Sequence, residues 1–335
     1  MRTKPVATVA IVGAIMLALA ACGSSSNSSS GSSGSASTTA SAPKKYNVTL
    51  SLGVQGCPFC IAVQRGAEAA AQKYGVNFKT VAPPKADVNQ QIQQLNGVIA
   101  NKPDGLLIQP DDGQAIAATM QQFAAAKVPA ITVDTDSNNP SLRLGTVTSN
   151  NLAGGKLAAD QINKITGGKG QVAYIGYVPG ASTTDQRQKG FEAELKKFPG
   201  LQYVGAQFTQ DDTTEAATKM SALLKRYPHL AAVFGGDEAN AIGTGTALRQ
   251  AGLAGKVKLV AFDGAPDEVQ ALKQGQASML IVQNAYQIGY SGMQQLYNYL
   301  ANKTQPAKLT NPGYVVVTKA NVDDPKVQKF LYPNS

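Results

Sequence analysis

The sequence predicts an α/β protein built from two similar lobes, each a doubly wound parallel sheet. From Tyr46 onward, short runs rich in β-branched residues alternate with alanine-rich stretches of helical period. The runs are almost continuously apolar, which is typical of parallel strands covered by helices on both faces. A single sheet with this many strands would be unusual, so the pattern favours two lobes.

The predicted elements follow one another in a regular order, a short apolar strand, a turn and then a helix. The predicted strands are 48–54, 76–81, 105–108, 130–133, 171–175, 203–208, 231–234, 257–262 and 278–282. The predicted helices are 61–74, 88–101, 115–126, 152–165, 214–227, 242–251 and 288–301. The stretch 135–150 is only weakly periodic, and we expect the first crossing between the lobes there.

The first 21 residues have the composition of a cleavable export signal. Arg2 and Lys4 are followed by a short apolar run (6–18) and by small residues, and the run is too short to span a membrane. The segment 19–22 (Leu-Ala-Ala-Cys) resembles the lipobox of bacterial lipoproteins. That resemblance implies a lipid on Cys22 and an extracytoplasmic protein anchored to the outer face of the membrane. The alternative is an ordinary secretory signal with an incidental cysteine.

The composition of the chain after residue 21 limits the classes of protein to which it can belong. Residues 22–44 are rich in serine and glycine, predicting a flexible linker before a folded part of two domains. The formal charge is +9, but lysines and arginines are scattered, so we expect no nucleic-acid partner. No second apolar stretch is long enough for a membrane helix. With one histidine (His229) and no tryptophan, we expect no metal site and no cofactor.

Cys57-Pro58-Phe59-Cys60 is the first local motif with chemical meaning. It follows a predicted strand and opens a predicted helix, the setting of a thioredoxin-like redox motif. The long run of strand–helix units that follows does not fit a small redox fold. Outside the cytoplasm Cys57 and Cys60 can simply pair, so we favour a structural disulfide and keep an extracytoplasmic thiol oxidoreductase as the alternative.

A second set of motifs is spread along the whole chain, mostly where predicted strands end. In order they are 51–53 (Ser-Leu-Gly), 58–59 (Pro-Phe), 130–134 (Ala-Ile-Thr-Val-Asp), 148–155 (Thr-Ser-Asn-Asn-Leu-Ala-Gly-Gly), 187–191 (Arg-Gln-Lys-Gly-Phe), 233–238 (Val-Phe-Gly-Gly-Asp-Glu), 260–267 (Val-Ala-Phe-Asp-Gly-Ala-Pro-Asp), 281–283 (Ile-Val-Gln) and 287–289 (Gln-Ile-Gly). In open parallel sheets, ligands bind in the crevice outside the carboxyl ends of the strands.

This set resembles the ribose-binding type of bacterial solute-binding protein, the type I periplasmic fold that serves sugar ABC importers. The resemblance covers residues 46–320 in the same order. It implies a ligand cleft between two lobes joined by a multi-strand hinge. The predicted first lobe is 45–149 plus 284–310, and the predicted second lobe is 150–283 plus 311–335.

The resemblance also implies roles for single residues. It makes Phe59 the aromatic platform, Asp134 the acceptor of the first lobe, Asp237 and Asp263 acceptors of the second lobe, and Gln283 a hinge residue. We expect Arg187 to brace the second lobe, and Asn150 and Asn151 to cap a helix. The full predicted ligand-binding set is Phe59, Asp134, Asp185, Asp211, Asp237, Asn240, Asp263 and Gln283.

Departures from the family pattern narrow the range of expected ligands. Cys57 and Cys60 stand where the ribose receptors have Asn and Phe, and Thr135 and Asp185 stand where they have arginines. The aromatic residue of the second lobe is replaced near Asp211. Loss of two arginines argues against ribose and against acidic sugars. We therefore expect a small sugar or polyol, or a cationic compound such as an amino sugar.

The predicted function is binding, not catalysis. We expect a monomeric lipoprotein that closes on its ligand and docks on an ABC permease, whose paired ATPases supply the energy because this chain has no P-loop motif. The membrane is contacted through the lipid alone. A sensor of the same fold that feeds a signalling receptor stays open as an alternative. A sugar-responsive repressor is excluded, because a signal and linker stand where its DNA-binding helices would be.

Overall fold

The computed structural model describes residues 44–333 of the 335-residue chain. The predicted export signal, the predicted lipidation site Cys22 and the linker up to residue 43 lie outside the described residues. The strands are β1 (Asn47–Ser51), β2 (Asn77–Val81), β3 (Gly105–Ile108), β4 (Ala130–Val133), β5 (Gly145–Val147), β6 (Gly170–Gly176), β7 (Leu201–Phe208), β8 (Leu230–Gly235), β9 (Lys258–Phe262), β10 (Met279–Gln283), β11 (Leu309–Thr310) and β12 (Tyr314–Val317). The α-helices are α1 (Pro58–Tyr74), α2 (Val88–Ala100), α3 (Ala117–Ala125), α4 (Asn151–Thr166), α5 (Ser182–Leu195), α6 (Thr213–Arg226), α7 (Glu238–Gln250), α8 (Pro266–Lys273), α9 (Ala285–Asn302) and α10 (Pro325–Gln328).

The strands form two sheets with the same winding. The first sheet has the order β11-β5-β4-β3-β1-β2 and the second has the order β12-β10-β9-β8-β6-β7. Every pairing in the first sheet is parallel, and in the second sheet only β12 runs antiparallel to its neighbour β10. Central strands such as β3 and β4 are buried at every position, as expected for a sheet covered on both faces. The predicted fold class of two doubly wound lobes is confirmed.

The chain passes between the two sheets three times. It leaves the first sheet after β5 and enters α4, which packs on β8 and β9 of the second sheet. It returns after β10 through α9, which packs on β3, β4 and β5, and it crosses again between β11 and β12. The cleft between the lobes is thus flanked by three connecting segments.

Some elements differ from the sequence-based expectation. Helix α1 begins at Pro58 and α7 at Glu238, three and four residues before the predicted starts. Each helix starts directly after its capping residue, Cys57 or Asp237, whose side chain accepts a backbone N–H of the first turn. Helix α5 was not predicted at all. Its sequence from Ser182 is polar, and the face that it buries includes polar residues such as Arg187 and Glu194 beside Phe191, so it is not a continuous apolar stripe.

Paired glycines bring two helices of each lobe into backbone contact. A Cβ atom on Gly66 of α1 would lie 1.9 Å from the carbonyl oxygen of Tyr286, and one on Gly289 of α9 would lie 1.9 Å from that of Val63. No real Cβ atom approaches a carbonyl so closely, so these positions require glycine.

The second lobe repeats this arrangement between α4 and α5. A Cβ atom on Gly155 would lie 2.0 Å from the carbonyl oxygen of Arg187, and one on Gly190 would lie 2.1 Å from that of Leu152. The close approach fixes α5 against α4 and thereby sets the position of Arg187.

Within residues 44–333, no helix is both long enough and apolar enough to cross a membrane.

Candidate functional site

The carboxyl ends of strands from both sheets converge on one cavity of about 360 Å³. Gln109 follows β3, Asp134 follows β4, Asp237 follows β8 and Asp263 follows β9, while Gln283 ends β10. This is the crevice in which ligands of open parallel sheets bind. The lining residues are Gly53, Val54, Gln55, Gly56, Cys57, Pro58, Phe59, Cys60, Gln109, Asp134, Thr135, Tyr177, Thr183, Thr184, Arg187, Asp211, Thr213, Asp237, Glu238, Ala239, Asp263 and Gln283.

The first turn of α1 supplies the aromatic surface of the cavity. Pro58 starts the helix and Cys57 caps it, with its Sγ accepting a hydrogen bond from the backbone N–H of Cys60 at 3.0 Å. The sulfur atoms of Cys57 and Cys60 lie 2.09 Å apart. Phe59 between them is 7 % exposed, and its ring meets the ring of Tyr332 edge to face, with 5.6 Å between the centroids. The first turn of α1 thus places Phe59 in the wall of the cavity.

Asp134 offers one free oxygen from the first lobe. Its Oδ2 accepts hydrogen bonds from Gln109 Nε2 at 3.1 Å and from Thr135 Oγ1 at 3.2 Å. Its Oδ1 is buried without a hydrogen-bond partner. A buried acceptor without a partner is costly, so Oδ1 is suited to a ligand hydroxyl.

Asp263 plays the corresponding part in the second lobe. Its Oδ1 accepts hydrogen bonds from Gln283 Nε2 at 2.8 Å and from Tyr332 Oη at 2.7 Å. Its Oδ2 has no hydrogen-bond donor among residues 44–333, and Gln283 Oε1 is buried without a partner. Both atoms are therefore available to a ligand.

Three of the lining aspartates have a left-handed backbone, which is uncommon for residues other than glycine. The φ angles are 60° for Asp134, 60° for Asp211 and 90° for Asp263. Aspartate tolerates this region better than most residues, and such strain concentrates at ligand-binding positions. The same backbone feature at corresponding strand ends supports a common role for these carboxylates.

Arg187 reaches the cavity from α5. Its guanidinium lies 3.7 Å over the ring of Phe262, Nε donates to Asn151 Oδ1 at 2.8 Å and Nη1 donates to the carbonyl oxygen of Gly236 at 2.6 Å. These contacts fit the expected bracing role. Arg187 also lines the cavity, which we did not expect, and its Nη2 makes no hydrogen bond to the described residues.

Two predicted ligand-binding residues lie away from the cavity. Asp185 is exposed, because it lies in the first turn of α5 and its Oδ1 turns back to accept the backbone N–H of Gly180 at 3.1 Å. Asn240 is fully buried behind Asp237 and donates both its backbone and its side-chain N–H groups to that carboxylate. The prediction is corrected for both: Asp185 caps a loop, and Asn240 positions Asp237.

The structure adds residues that sequence reasoning missed. Glu238 directly follows Asp237 in the motif 233–238. Its Oε2 accepts the backbone N–H of Phe59 from the opposite lobe at 3.1 Å. Tyr177 of the second lobe lines the cavity and donates its hydroxyl to Asp111 Oδ1 of the first lobe at 2.8 Å. These bonds across the cleft hold the lobes in a closed arrangement. Tyr332 carried no sequence signal, since 69 residues separate it from Asp263.

Burial raises the pKa of several carboxyl groups around the cavity. Burial, with repulsion from Asp263 added, raises the pKa of Asp134 to about 6, although Arg187 opposes the shift. Burial, with repulsion from Asp263 and Asp237 added, raises the pKa of Glu238 to about 8. Part of the acidic lining is therefore protonated near neutral pH.

The same causes act on the two aspartates beside Glu238. Burial and repulsion from Asp237 and Glu238 raise the pKa of Asp211 well above its usual range, and burial also raises the pKa of Asp237. Of the lining residues within 44–333, Arg187 alone is positively charged. Protonated carboxyls can donate hydrogen bonds, so the wall offers donors as well as acceptors.

We expect the free energy of unfolding of the ligand-free protein to fall as pH rises from about 5 to about 8.5. Unfolded carboxyls titrate near pH 4, whereas the folded values are raised, so the folded protein binds more protons in this interval. The stabilising contribution is complete below about pH 4 and is lost as pH rises through about 6 for Asp134 and about 8 for Glu238. Denaturant titration at a series of pH values measures the slope.

Glu238→Gln is the matched variant for this prediction, because the amide oxygen can still accept the Phe59 N–H. The variant should flatten the decline above pH 7. A free energy of unfolding that rises with pH in this interval, or an unchanged slope in the variant, would contradict the prediction.

The chain matches the family model described as "Periplasmic binding protein domain" over residues 48–304. It is 30 % identical to the ribose import binding protein RbsB of Salmonella typhimurium over 272 residues, which covers 81 % of this chain and 90 % of that protein. It is also 30 % identical to RbsB of Bacillus subtilis over 248 residues, covering 73 % and 79 %.

Solved structures agree with these relatives. An ABC transporter solute-binding protein from Agrobacterium vitis, bound with α-D-tagatopyranose, superposes with a TM-score of 0.84 at 34 % identity, covering 86 % of this chain and all of that one. A second one from the same organism, with bound D-fucose, gives a TM-score of 0.83 at 29 % identity, covering 85 % and 100 %. The expected resemblance to ribose-type receptors is confirmed, and the chain belongs to the periplasmic binding protein family.

Proposed function

We propose that this protein is the extracytoplasmic binding component of an ABC importer and that it takes a small sugar or polyol of monosaccharide size. The observation that carries the proposal is the cavity of about 360 Å³ between the lobes, which is lined by unpartnered acceptors of both lobes, Asp134 Oδ1 and Gln283 Oε1, and by the apolar ring of Phe59. Family membership makes it a binding protein, not an enzyme.

The lining suits a ring that bears several hydroxyl groups. Asp134 Oδ1 and Gln283 Oε1 are buried acceptors without partners, and Arg187 Nη2 is a free donor. Phe59 provides an apolar face for the carbon side of a ring. The carboxyls of raised pKa, Asp211 and Glu238, can donate to hydroxyl oxygens when protonated. A neutral polyhydroxylated ligand can therefore satisfy this wall without bringing a positive charge.

Relatives support the class of ligand without naming it. The tagatopyranose and fucose in the two Agrobacterium vitis structures are sugars of the size proposed here. Two arginines expected from the ribose receptors are absent, with Thr135 and Asp185 in their places. The proposed ligand is accordingly a sugar or polyol other than ribose.

The remaining parts of the proposal concern the partners of the protein and its location at the membrane. A membrane permease and its ATPase would receive the ligand, and the binding protein would work as a monomer. A lipid on Cys22 would tether it to the outer face of the membrane.

We also propose that Cys57 and Cys60 form a disulfide that stiffens the loop carrying Phe59. Two titratable thiols in the folded, oxidised protein would contradict that pairing.

A thermal-shift panel of pentoses, hexoses, polyols and amino sugars tests the proposed function. A ligand that binds only the folded state raises the melting temperature by mass action, so at least one neutral sugar or polyol should do so. Titration calorimetry on each compound that gives a shift then measures its affinity. If only amino sugars or other cations shift the melting temperature, the neutral-ligand proposal is wrong.

A further inference from the structure

Three helices of the first lobe end on a lysine with a left-handed backbone. Lys102 follows α2 with φ 48°, Lys127 follows α3 with φ 60°, and Lys303 follows α9 with φ 58°. Glycine is the default residue at this position, because a Cβ atom is disfavoured in the left-handed region. Each lysine thus occupies a place where glycine would be less strained.

The second lobe treats the same position differently. Helices α4, α7 and α8 are followed by Gly167, Gly252 and Gly275, with φ angles of 67°, 66° and 75°. In the first lobe α1 follows this rule with Gly75, whereas α2, α3 and α9 do not. The replacement of glycine by lysine is therefore concentrated at one end of one lobe.

These lysines gather at the end of the first lobe that lies farthest from the cavity. Lys102 and Lys127 come just before the starts of β3 and β4, whereas the cavity residues Gln109 and Asp134 follow the other ends of the same strands. Together with Lys44, the three lysines line one surface groove. We call Lys44, Lys102, Lys127 and Lys303 the basic pole.

The charges of the basic pole are largely uncompensated. Lys102, Lys127 and Lys303 are exposed, and none of them forms a salt bridge among residues 44–333. Lys44 pairs with Asp104 at 3.0 Å. A cation at a helix C-terminus is stabilising, but a solvent-exposed lysine elsewhere in the last turn could provide this without left-handed strain. The strained positions therefore point to a partner for the lysine heads.

The position of Lys44 indicates which partner fits. Lys44 lines the groove, and residues 22–43 precede it in the chain. The segment that carries the predicted lipid on Cys22 would therefore join the folded part at the basic pole. A tether formed by residues 22–43 would keep this pole within reach of the bilayer surface, where lysines are attracted to acidic phospholipid headgroups.

We propose that the basic pole binds anionic phospholipid headgroups and holds the protein against the membrane. The proposal rests on the proposed tethering at Cys22 for its biological setting, but the surface itself can be tested without the lipid. Each lysine near an anionic surface contributes roughly a fivefold gain in partitioning, so three should contribute about a hundredfold at low salt and less when salt screens them.

Co-sedimentation with lipid vesicles tests the proposal. The probe is the chain from residue 22 onward carrying Cys22→Ser, mixed with vesicles of phosphatidylcholine alone or with about one third phosphatidylglycerol. We expect binding only to the anionic vesicles, with loss at high salt. The variant Lys102→Gly/Lys127→Gly/Lys303→Gly should bind at least tenfold more weakly, while its free energy of unfolding stays the same or rises because glycine fits the left-handed backbone.

A matched control removes the same charge from the other lobe. Lys169→Gln/Lys225→Gln/Lys256→Gln changes three exposed lysines of the second lobe and should leave vesicle binding unchanged. Equal loss of binding in both triple variants would show net charge at work and overturn the proposal. It would also fall if the wild-type chain ignores phosphatidylglycerol, or if the glycine variant loses stability and keeps its binding. Since no sugar enters this experiment, its failure leaves the proposed transport function untouched.

Discussion

Replacing Asp263 with asparagine is expected to lower ligand affinity at least about a hundredfold while leaving the fold intact. Hydrogen bonds to a charged acceptor contribute about 1.5–3 kcal/mol each, and the replacement removes the charge and turns an amide toward the cavity. Asparagine keeps an oxygen for Gln283 and Tyr332 and tolerates the φ of 90° at this position. Titration calorimetry with the ligand identified by the thermal-shift panel measures the loss.

The same variant should not weaken the ligand-free protein. Asp263 raises the pKa of Asp134, Glu238 and Glu268 by charge repulsion, so removing its charge relieves the folded state. We expect an equal or higher melting temperature, as is common when a strained binding site is relaxed. Asp185→Asn is the control, because that side chain is exposed outside the cavity. Unchanged affinity in the Asp263 variant would remove Asp263 from the site.

Replacing Gly289 with alanine is expected to reduce the free energy of unfolding by about 2–4 kcal/mol. The added Cβ atom would lie 1.9 Å from the carbonyl oxygen of Val63 and 2.9 Å from the backbone nitrogen of Ala67. Both are main-chain atoms of α1, so no side chain can rotate away, and α9 must separate from α1. Chemical denaturation followed by circular dichroism measures the change.

Gly97 provides a control with the opposite sign. It also lies inside a helix, but a Cβ atom there would meet nothing within 4 Å. Gly97→Ala should therefore stabilise the protein by about 0.5–1 kcal/mol through helix propensity alone. If both substitutions change stability in the same direction, the contact between α1 and α9 is not the cause.

The sequence was sufficient for the architecture because the apolar pattern is repeated many times. Strand β4 was predicted at the residues where the structure has it, and β3 likewise, since each is an apolar run between clear turn residues. Helix α5 was missed because its buried face mixes polar residues such as Arg187 and the close-contact residue Gly190 with only two large apolar side chains, Phe191 and Leu195. Periodicity arguments detect apolar burial, and this helix packs through close backbone contact instead.

The site was predictable where a residue stands at the end of a strand. Asp134, Asp237 and Asp263 were placed in this way, and the structure brings all three to the cavity. Asp185 lies outside the cavity, because its place in the first turn of α5 directs its carboxylate to the backbone N–H of Gly180. Tyr332 and Glu238 depend on contacts between distant parts of the chain, which no single stretch of sequence displays.

The three crossings between the sheets also set an order of assembly during synthesis. Helix α9, which covers α1 and three strands of the first sheet, is made only after the whole segment from α4 to β10 of the second lobe. The first lobe therefore cannot complete its core as it emerges from the ribosome, although N-terminal domains usually fold first. A nascent chain that stays incompletely folded until the part from residue 285 onward is made would remain suitable for threading through an export channel, as the proposed extracytoplasmic location requires.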